Sequence, residues 1–230
     1  ARKLAHEIKN PLTPIQLTID RLKNKYSDQM SNENKLEFKE NLKIINNQIK
    51  QIENLVNEFS DFARMPKPTL KDNNIIKILN ENIKLLSEID ESIEIKLINK
   101  SHEIILKSDK EQIARVFFNL IKNSIESIQQ KAEKNLNFNK KILIEITENN
   151  HHIKFILIDN GIGFKKNNNI KEILNPYFTT KKNGTGLGLS IVNKIINDHN
   201  GELEFFPIDN GAQIEIDFKL DGSWNFNSRW

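Results

Sequence analysis

The chain has 230 residues, a length that allows one large domain or two of modest size. It contains no cysteine, which excludes disulfides, thiolate metal sites and cysteine nucleophiles. Its 34 basic and 31 acidic residues leave a formal net charge of +3 without a compact basic block, so nucleic-acid binding is not expected. No run approaches the roughly 18–20 apolar residues of a membrane span, so no membrane segment is expected in this chain.

Two long amphipathic helices are predicted in residues 1–63, with a polar, turn-like segment at residues 27–34 between them. In each helix the apolar residues recur at spacings of three and four, which is typical of a bundle helix. A single hairpin of this kind buries little apolar surface, whereas two hairpins form a four-helix bundle, so a homodimer is predicted. The apolar positions are Leu4, Ile8, Leu12, Ile15, Ile19 and Leu22 in the first helix, and Leu42, Ile45, Ile49, Ile52, Val56 and Phe59 in the second.

Residues 64–74 are predicted to be a linker, because Pro66 and Pro68 cannot continue a helix. Helical and strand-like patterns then alternate, so residues 75–221 are predicted to form an α+β two-layer sandwich whose adjacent strands are antiparallel. Asp109 and Gln112 form a capping-box pair that predicts the start of a helix. Further helices are expected at 75–86 and 187–199, and strands at 93–98, 103–107, 141–147, 153–158, 203–206 and 213–220. Residues 222–230 form a tail of unknown role.

The first motif that indicates chemistry surrounds His6 in the predicted first helix. At about 100° per residue, His6 lies about 200° from both Leu4 and Ile8, so it is expected to face solvent. An exposed neutral imidazole is a competent nucleophile, and Glu7 can accept a proton or orient the ring. Asn10 lies one turn further on the same face. An ordinary surface histidine is the alternative; a zinc protease site is not supported, because Asn10 stands where a second histidine is needed.

A pair of amides forms the second motif. Asn119 and Asn123 lie four residues apart, so both face the same way from a helix that is otherwise lined with apolar residues. Amide oxygens are hard ligands that suit Mg²⁺ beside phosphates. Two unrelated surface asparagines in an asparagine-rich chain are the alternative.

Asp159, Gly161 and Gly163 form the third motif, directly after an apolar strand. A carboxylate at a strand end can accept the amino group of a base, and the glycines let the backbone approach a ligand closely. The alternative is a hairpin turn, for which Asn-Gly is a common pair.

The fourth motif is the glycine-rich segment from Gly184 to Gly188, which leads into a helix. Backbone amides at such a position can point at phosphate oxygens. The segment is neither a Walker motif nor a dinucleotide fingerprint. A loop of about 20 residues, 164–183, separates it from the third motif, and loops of that length are usually lids or disordered.

Taken in order, these motifs resemble the histidine kinases of two-component signalling. His6-Glu7 matches the H box, Asn119 and Asn123 the N box, Asp159 with its glycines the G1 box, Phe178 the F box, and Gly184, Gly186 and Gly188 the G2 box. The stretch from Ala5 to Leu17, with Arg21-Leu22, is similar to nitrogen-regulation sensor kinases of the NtrY type. The resemblance covers residues 1 to about 220.

For the helical part, the resemblance implies a dimerisation and phosphotransfer domain at residues 1–63. His6 would take the γ-phosphoryl group of ATP and pass it to an aspartate of a response regulator receiver domain. Glu7 would be the neighbouring acid or base, and Asn10 would orient the water that later removes phosphate from that partner. The chain begins within a predicted helix, so we expect it to be a fragment of a longer protein. The resemblance implies that this parent is a membrane-anchored bacterial sensor kinase and that the chain is its cytoplasmic domain.

For residues 75–221, the resemblance implies an ATP-binding domain of the GHKL (Bergerat) fold. Asn119 and Asn123 would hold Mg²⁺ against the phosphates, Asp159 would accept the adenine amino group, and Phe178 would anchor the mobile lid. The residues expected to bind ATP are Asn119, Asn123, Asp159, Gly161, Gly163, Phe178, Gly184, Thr185, Gly186, Leu187 and Gly188. Ser124 and Ser127 stand where small alanines are usual in the N box.

Three alternatives to a kinase remain open from the sequence. The gyrase-type ATPases share the nucleotide fold but use water as nucleophile and typically have a glutamate base in the place of Asn119, and an amide cannot take a proton from water. A non-catalytic dimeric scaffold is disfavoured because His6, Glu7 and Asp159 are all retained. A phosphatase-dominant enzyme is allowed by Asn10.

Overall fold

In the computed structural model, the residues described are 2–26, 32–133, 137–164, 170–181 and 184–220. They divide into two compact units. The first comprises Ala1–Pro66 with Tyr177–Leu187, and the second comprises Lys67–Pro176 with Gly188–Trp230. The predicted tail at 222–230 and most of the predicted turn at 27–34 lie outside the described residues.

A hairpin of two long helices forms most of the first unit. Helix α1 runs over Arg2–Tyr26 and helix α2 over Asn32–Ala63. Helix α1 continues through Pro11 and Pro14, and the Thr18 hydroxyl donates a hydrogen bond to the carbonyl of Pro14 at 2.8 Å. The two predicted helices are therefore confirmed.

The apolar seam of the hairpin separates into a buried half and an exposed half. Leu12, Ile19, Leu42 and Ile49 form a buried cluster, against which Ile8 and Phe38 pack. Among the other predicted seam residues, the side chain of Leu4 lies outside the described part of the chain and Val56 is buried. The remaining ones are exposed or half-buried. They are Ile15, Leu22, Ile45, Ile52 and Phe59. Each of the four residues of the buried cluster has an exposed apolar residue three positions later, so the described part of the chain leaves a second apolar stripe of the hairpin uncovered.

The second unit is built on a five-stranded sheet in the order β2-β4-β5-β7-β6. Its strands are β2 at Glu94–Asn99, β4 at Lys141–Glu148, β5 at His152–Asp159, β6 at Gly201–Ile208 and β7 at Gly211–Lys219. Strand β4 pairs antiparallel with β5, β5 with β7, and β7 with β6, as predicted. A separate two-stranded ribbon joins β1, at Lys71–Asn74, to β3, at Ile105–Ser108.

Helices pack against the buried face of this sheet. They are α3 at Ile75–Ser87, α4 at Lys110–Ala132 and α6 at Gly188–Asp198, with α4 lying between the other two. Alternate residues of β5, Ile153, Phe155 and Leu157, are buried, and the Phe155 ring lies 5.1 Å from the ring of Phe117 on α4. The unit is therefore the α+β two-layer sandwich expected from the sequence.

Two features of the topology differ from the sequence prediction. Strand β2 runs parallel to β4, with Ile95 opposite Ile142, so the expectation that all adjacent strands are antiparallel is wrong at this pair. The chain between β2 and β4 contains β3 and α4, and a long crossover of this kind is the connection that parallel neighbouring strands require. Residues 71–74, placed in the linker from the sequence, pair with β3 as strand β1.

Within the predicted lid at 164–183, a short helix, α5, spans Ile170–Ile173. Residues 165–169 and 182–183 of that lid lie outside the described residues. Among the helices that the structure describes, none is long and apolar enough to cross a membrane.

Candidate nucleotide-binding site and phosphoacceptor helix

Helix α4 carries the predicted amide pair, and its start is fixed by Asp109. The Asp109 side chain accepts hydrogen bonds from the backbone N–H groups of Glu111 at 3.1 Å and Gln112 at 3.2 Å, as an N-cap residue does. Its second oxygen accepts from the N–H of Thr69 at 2.9 Å. Burial raises the pKa of Asp109, but these three N–H donors outweigh it and lower the pKa below its usual value. The cap thus sets where α4 begins.

On α4, Asn119 is half-buried and its amide is oriented by the helix itself. The side-chain N–H donates to the carbonyl of Arg115 at 2.9 Å. The amide oxygen faces the first residue of α6, since a Cβ added to Gly188 would lie 3.5 Å from it. The Asn119 side chain therefore presents its oxygen, and not its N–H group, toward the start of α6. Anions bind favourably at such a helix N-terminus.

Asp159 is the last residue of β5 and is 3% exposed. The alternation of β5 places its side chain on the same face as Phe155 and Leu157, toward the helices. One carboxylate oxygen accepts the N–H of Gly161 at 2.9 Å, and the other accepts the hydroxyl of Ser124 on α4 at 3.0 Å. The predicted adenine-binding carboxylate is therefore buried at a strand end beside α4.

Burial raises the pKa of the Asp159 carboxyl. The N–H groups of Gly161 and Ala212, the Ser124 hydroxyl and the positive charge of Lys131 oppose that rise. A ligand donor that reached this carboxylate would join the groups that favour its ionised form.

The glycines after Asp159 are required by close backbone approaches. A Cβ on Gly161 would lie 2.2 Å from the Ser127 hydroxyl oxygen of α4 and 2.7 Å from the Ser127 carbonyl carbon. Gly163 has φ +68°, and a Cβ there would lie 2.3 Å from the carbonyl oxygen of Gly211. The glycines let this loop lie directly on α4 and on the β6–β7 turn.

Two further residues fix the loop that follows β5. The Asn160 side chain accepts from the N–H of Lys141 at 2.9 Å and donates to the carbonyl of Asn139 at 2.5 Å. Lys131 donates to the carbonyl of Asn160 at 2.6 Å. These contacts of Lys131 and Asn160 were not predicted, because the hydrogen bonds link segments that are distant along the chain.

The glycine-rich segment before α6 is grouped with the helical unit. Tyr177 and Gly186 both have positive φ, and the Tyr177 N–H donates to the carbonyl of Gly186 at 3.0 Å. The Thr185 hydroxyl donates to the carboxylate of Glu58 on α2. Leu187 is buried and Phe178 is half-buried. The segment thus closes on itself at Tyr177 and is tied at Thr185 to α2.

The predicted phosphoacceptor motif lies in α1. His6 is in this helix, but its side chain lies outside the described part of the chain, so the prediction that it faces solvent stays a prediction. Glu7 and Asn10 are exposed, whereas Leu12 is buried. The described part of the motif is therefore a solvent-facing polar surface beside the buried seam.

Together these elements define a class of protein: a helical hairpin with a histidine motif, followed by an α+β sandwich with the features of a nucleotide-binding fold. Residues 1–68 match the family model described as the His Kinase A (phospho-acceptor) domain. Residues 108–222 match the model described as histidine kinase-, DNA gyrase B- and HSP90-like ATPase. The chain belongs to the histidine kinase family.

Similar curated proteins agree with this assignment. The chain is 32% identical to the nitrogen regulation protein NtrY of Azorhizobium caulinodans over 96% of its own length and 28% of the relative's. It is 35% identical to a putative sensor histidine kinase NtrY-like of Rickettsia felis over 96% of its own length and 35% of the relative's. The chain therefore spans about a third of the length of these relatives.

Solved structures show the same fold. The catalytic domain of the histidine kinase ThkA superposes with a TM-score of 0.57 at 25% identity, over 65% of this chain and 95% of that one. ThkA in complex with the response regulator protein TrrA superposes with a TM-score of 0.66 at 24% identity, over 95% of this chain and 60% of that one. The second likeness shows that both parts of the fold occur together in a solved kinase.

The chemistry of the amide side chains on α4 is suited to a magnesium ion. The Asn119 amide nitrogen is held by the Arg115 carbonyl, and the amide oxygen faces Gly188 at the start of α6. A neutral amide oxygen is a suitable ligand for Mg²⁺, which is otherwise coordinated by water and phosphate oxygens. Asn123 lies one turn later on the same helix.

Proposed function

We propose that this chain is the catalytic core of a sensor histidine kinase. It would transfer the γ-phosphoryl group of ATP to His6 and then to an aspartate of a response regulator receiver domain. Residues 1–63 would form the dimerisation and phosphotransfer domain, and residues 75–221 the ATP-binding domain. The shared fold and the family membership support this proposal.

In the nucleotide domain, the adenine amino group would donate to the carboxylate of Asp159. Phe178 and the segment Gly184–Gly188 would cover the phosphates, with Gly161 and Gly163 lining the base. Asn119 and Asn123 would hold Mg²⁺, which supplies neutralisation of the phosphate charge when bound. These residues position the γ-phosphate; none of them needs to form a bond to it.

In the phosphoacceptor domain, an imidazole nitrogen of His6 would attack the γ-phosphorus. The new bond is N–P, the broken bond joins the γ-phosphorus to the β,γ-bridging oxygen, and ADP leaves with that electron pair. Glu7 would accept the proton from the other ring nitrogen or orient the ring. The phosphoryl group would then pass to a carboxylate oxygen of the receiver aspartate. The N–P bond breaks with its electron pair on nitrogen, and return of the proton from Glu7 regenerates neutral His6.

The observation that carries the proposal is the amide at position 119. A hydrolase must remove a proton from water, and the amide of Asn119 cannot act as the base that does so. Its N–H is donated to the Arg115 carbonyl, so only the neutral amide oxygen is left to face a ligand. A neutral imidazole needs no such base to attack phosphorus. An amide at this position therefore favours a protein nucleophile over water.

The test is incubation with γ-labelled ATP and Mg²⁺, followed by acid and alkali treatment of the labelled chain. We expect label that survives alkali and is lost in acid, and none in His6→Gln. His102→Gln is a matched control, because His102 is an exposed histidine of the other unit, and it should label as wild type. Labelling of His6→Gln at the wild-type rate would refute His6 as the phosphoacceptor.

We propose that the chain acts as a homodimer. The exposed stripe of Ile15, Leu22, Ile45 and Ile52 supports this, because it repeats every seven residues beside the buried stripe. A second hairpin would cover it in a four-helix bundle. Ile45→Glu with Ile52→Glu should give a monomer in sedimentation analysis, whereas Lys43→Glu, at an exposed polar position, should leave a dimer.

A phosphatase activity is a second candidate, which the exposed Asn10 favours. Its amide could orient a water molecule toward a phosphorylated aspartate of the partner. Asn10→Ala should then keep His6 labelling but slow the loss of phosphate from a receiver domain phosphorylated with acetyl phosphate. An unchanged rate of loss would remove this candidate.

Because the chain spans about a third of the length of its relatives, we propose that it is the cytoplasmic part of a membrane-anchored sensor kinase. The signal input would then lie in the remainder of that protein.

A further inference from the structure

Two serines of α4 contact the loop that follows β5, and they do so in opposite senses. The hydroxyl of Ser124, which is 1% exposed, donates to a carboxylate oxygen of Asp159 at 3.0 Å. The hydroxyl of Ser127 accepts the N–H of Ile162 at 3.1 Å. Ser124 thus holds a side chain, whereas Ser127 holds only backbone.

The contact with Ser124 fixes a torsion that is otherwise loosely defined. The terminal torsion of an aspartate is broad, so a buried carboxylate can rotate unless both oxygens are held. In Asp159 one oxygen accepts the Gly161 N–H and the other accepts Ser124. The Ala212 N–H is a further donor to this carboxyl group, so backbone donors and the α4 hydroxyl together set the plane of the carboxylate.

We propose that Ser124 is a positioning residue that holds the Asp159 carboxylate in the plane that accepts a purine 6-amino group. It therefore sets the preference of the nucleotide site for adenine. The inference rests on the proposed function, in which Asp159 receives the adenine amino group. Without the Ser124 hydroxyl, the carboxylate keeps the backbone N–H donors of Gly161 and Ala212 but loses its donor from α4, so its plane is held less firmly and the lone pair that faces the base is directed less well.

The test compares the affinity for ADP with that for a purine nucleoside diphosphate that lacks the 6-amino group, measured by calorimetry on the whole chain. A hydrogen bond to a charged group corresponds to about a tenfold to hundredfold preference for ADP in the wild type. We expect Ser124→Ala to reduce this preference by about threefold to tenfold while the affinity for the analogue stays within about twofold. Circular dichroism checks that both variants are folded.

Ser127→Ala is the matched control. It removes a hydroxyl from the same helix and the same loop contact, but one that does not touch Asp159, so it should keep the wild-type preference. An equal loss of preference in Ser127→Ala would overturn the inference, because the effect would then come from packing of the loop.

Asp159→Asn separates the inference from the function on which it rests. It should abolish the preference for ADP over the analogue. If Asp159→Asn retains the preference, the adenine contact of the proposed function fails. If Asp159→Asn loses the preference and Ser124→Ala keeps it in full, the inference about Ser124 is overturned and the proposed function stands.

Discussion

A methyl group added at Gly161 would collide with helix α4. Gly161 is not among the glycines with positive φ, so alanine can adopt its backbone conformation and the effect of Gly161→Ala is steric. The added carbon would lie 2.2 Å from the Ser127 hydroxyl oxygen, 2.8 Å from its Cβ and 2.7 Å from its carbonyl carbon. The last of these is helix backbone and cannot rotate away.

The size of the effect follows from the shift that this contact demands. Carbon atoms pack at about 3.5–4.0 Å, so the loop must withdraw from α4 by about 1 Å. Such a shift stretches two hydrogen bonds, from the Ile162 N–H to Ser127 and from the Gly161 N–H to Asp159, beyond useful length. Overpacking and two lost hydrogen bonds together lower the free energy of unfolding by about 2–5 kcal/mol.

The assay is thermal unfolding together with titration of ADP. For a unit of this size we expect the Tm to fall by roughly 5–15 °C, and the affinity for ADP to fall more than about tenfold because Asp159 is displaced. Ile162→Ala is the control, since Ile162 is exposed and contributes only its backbone N–H to the contact. Adding Ser127→Gly should restore part of the stability, because it removes the Ser127 side-chain atoms that the new methyl group meets. The restoration should be incomplete, because the 2.7 Å approach to the Ser127 carbonyl carbon remains. A Tm of Gly161→Ala equal to that of the wild type would refute the steric argument.

Other predictions concern the frame that holds the site. Burial lowers the pKa of His199, whose Nε2 accepts the Asp109 N–H at 3.0 Å. Stability should therefore be lost as the pH falls below about 6.5, where the histidine of the unfolded chain takes up a proton. Urea unfolding measured over this pH range should show a smaller loss of stability in His199→Gln than in the wild type. Asp109→Ala removes the cap of α4 and the acceptor of Thr69, and should lower the free energy of unfolding by about 1–3 kcal/mol in urea. Phe117→Ala should lower it by about 3–5 kcal/mol, whereas Phe118→Ala, at a half-buried position, should lower it less.

The sequence predicted the features that depend on local pattern. The seam of the hairpin, the cap at Asp109 and the strand that ends at Asp159 all follow from spacing within a few residues, and the structure confirms them. The burial of Asp159 also follows from the alternation along β5 once its neighbours are known to be buried. Local periodicity is sufficient here because each of these features is decided within one helix or one strand.

Features that depend on tertiary pairing could not be predicted in this way. The hydrogen bond from Ser124 to Asp159 joins residues 35 apart, and that from Asp109 to His199 joins residues 90 apart. Alternation in β2 indicates a strand but not its partner, so its parallel pairing with β4 was missed. Strand β1 has only four polar residues and no apolar pattern, and its existence depends on pairing with β3.

The two parts of the chain also differ in how completely each buries its apolar residues. In the sandwich, β5 buries alternate residues against α4, and the carboxylate of Asp159 is held within that same buried layer. The hairpin buries Leu12, Ile19, Leu42 and Ile49 but leaves an apolar residue exposed three positions after each of them. A nucleotide site needs side chains whose positions are fixed, and in the sandwich the contacts that fix Asp159 all come from the same chain. A phosphoacceptor surface on a hairpin needs a second apolar partner, so its stability should depend on association, whereas that of the sandwich should not.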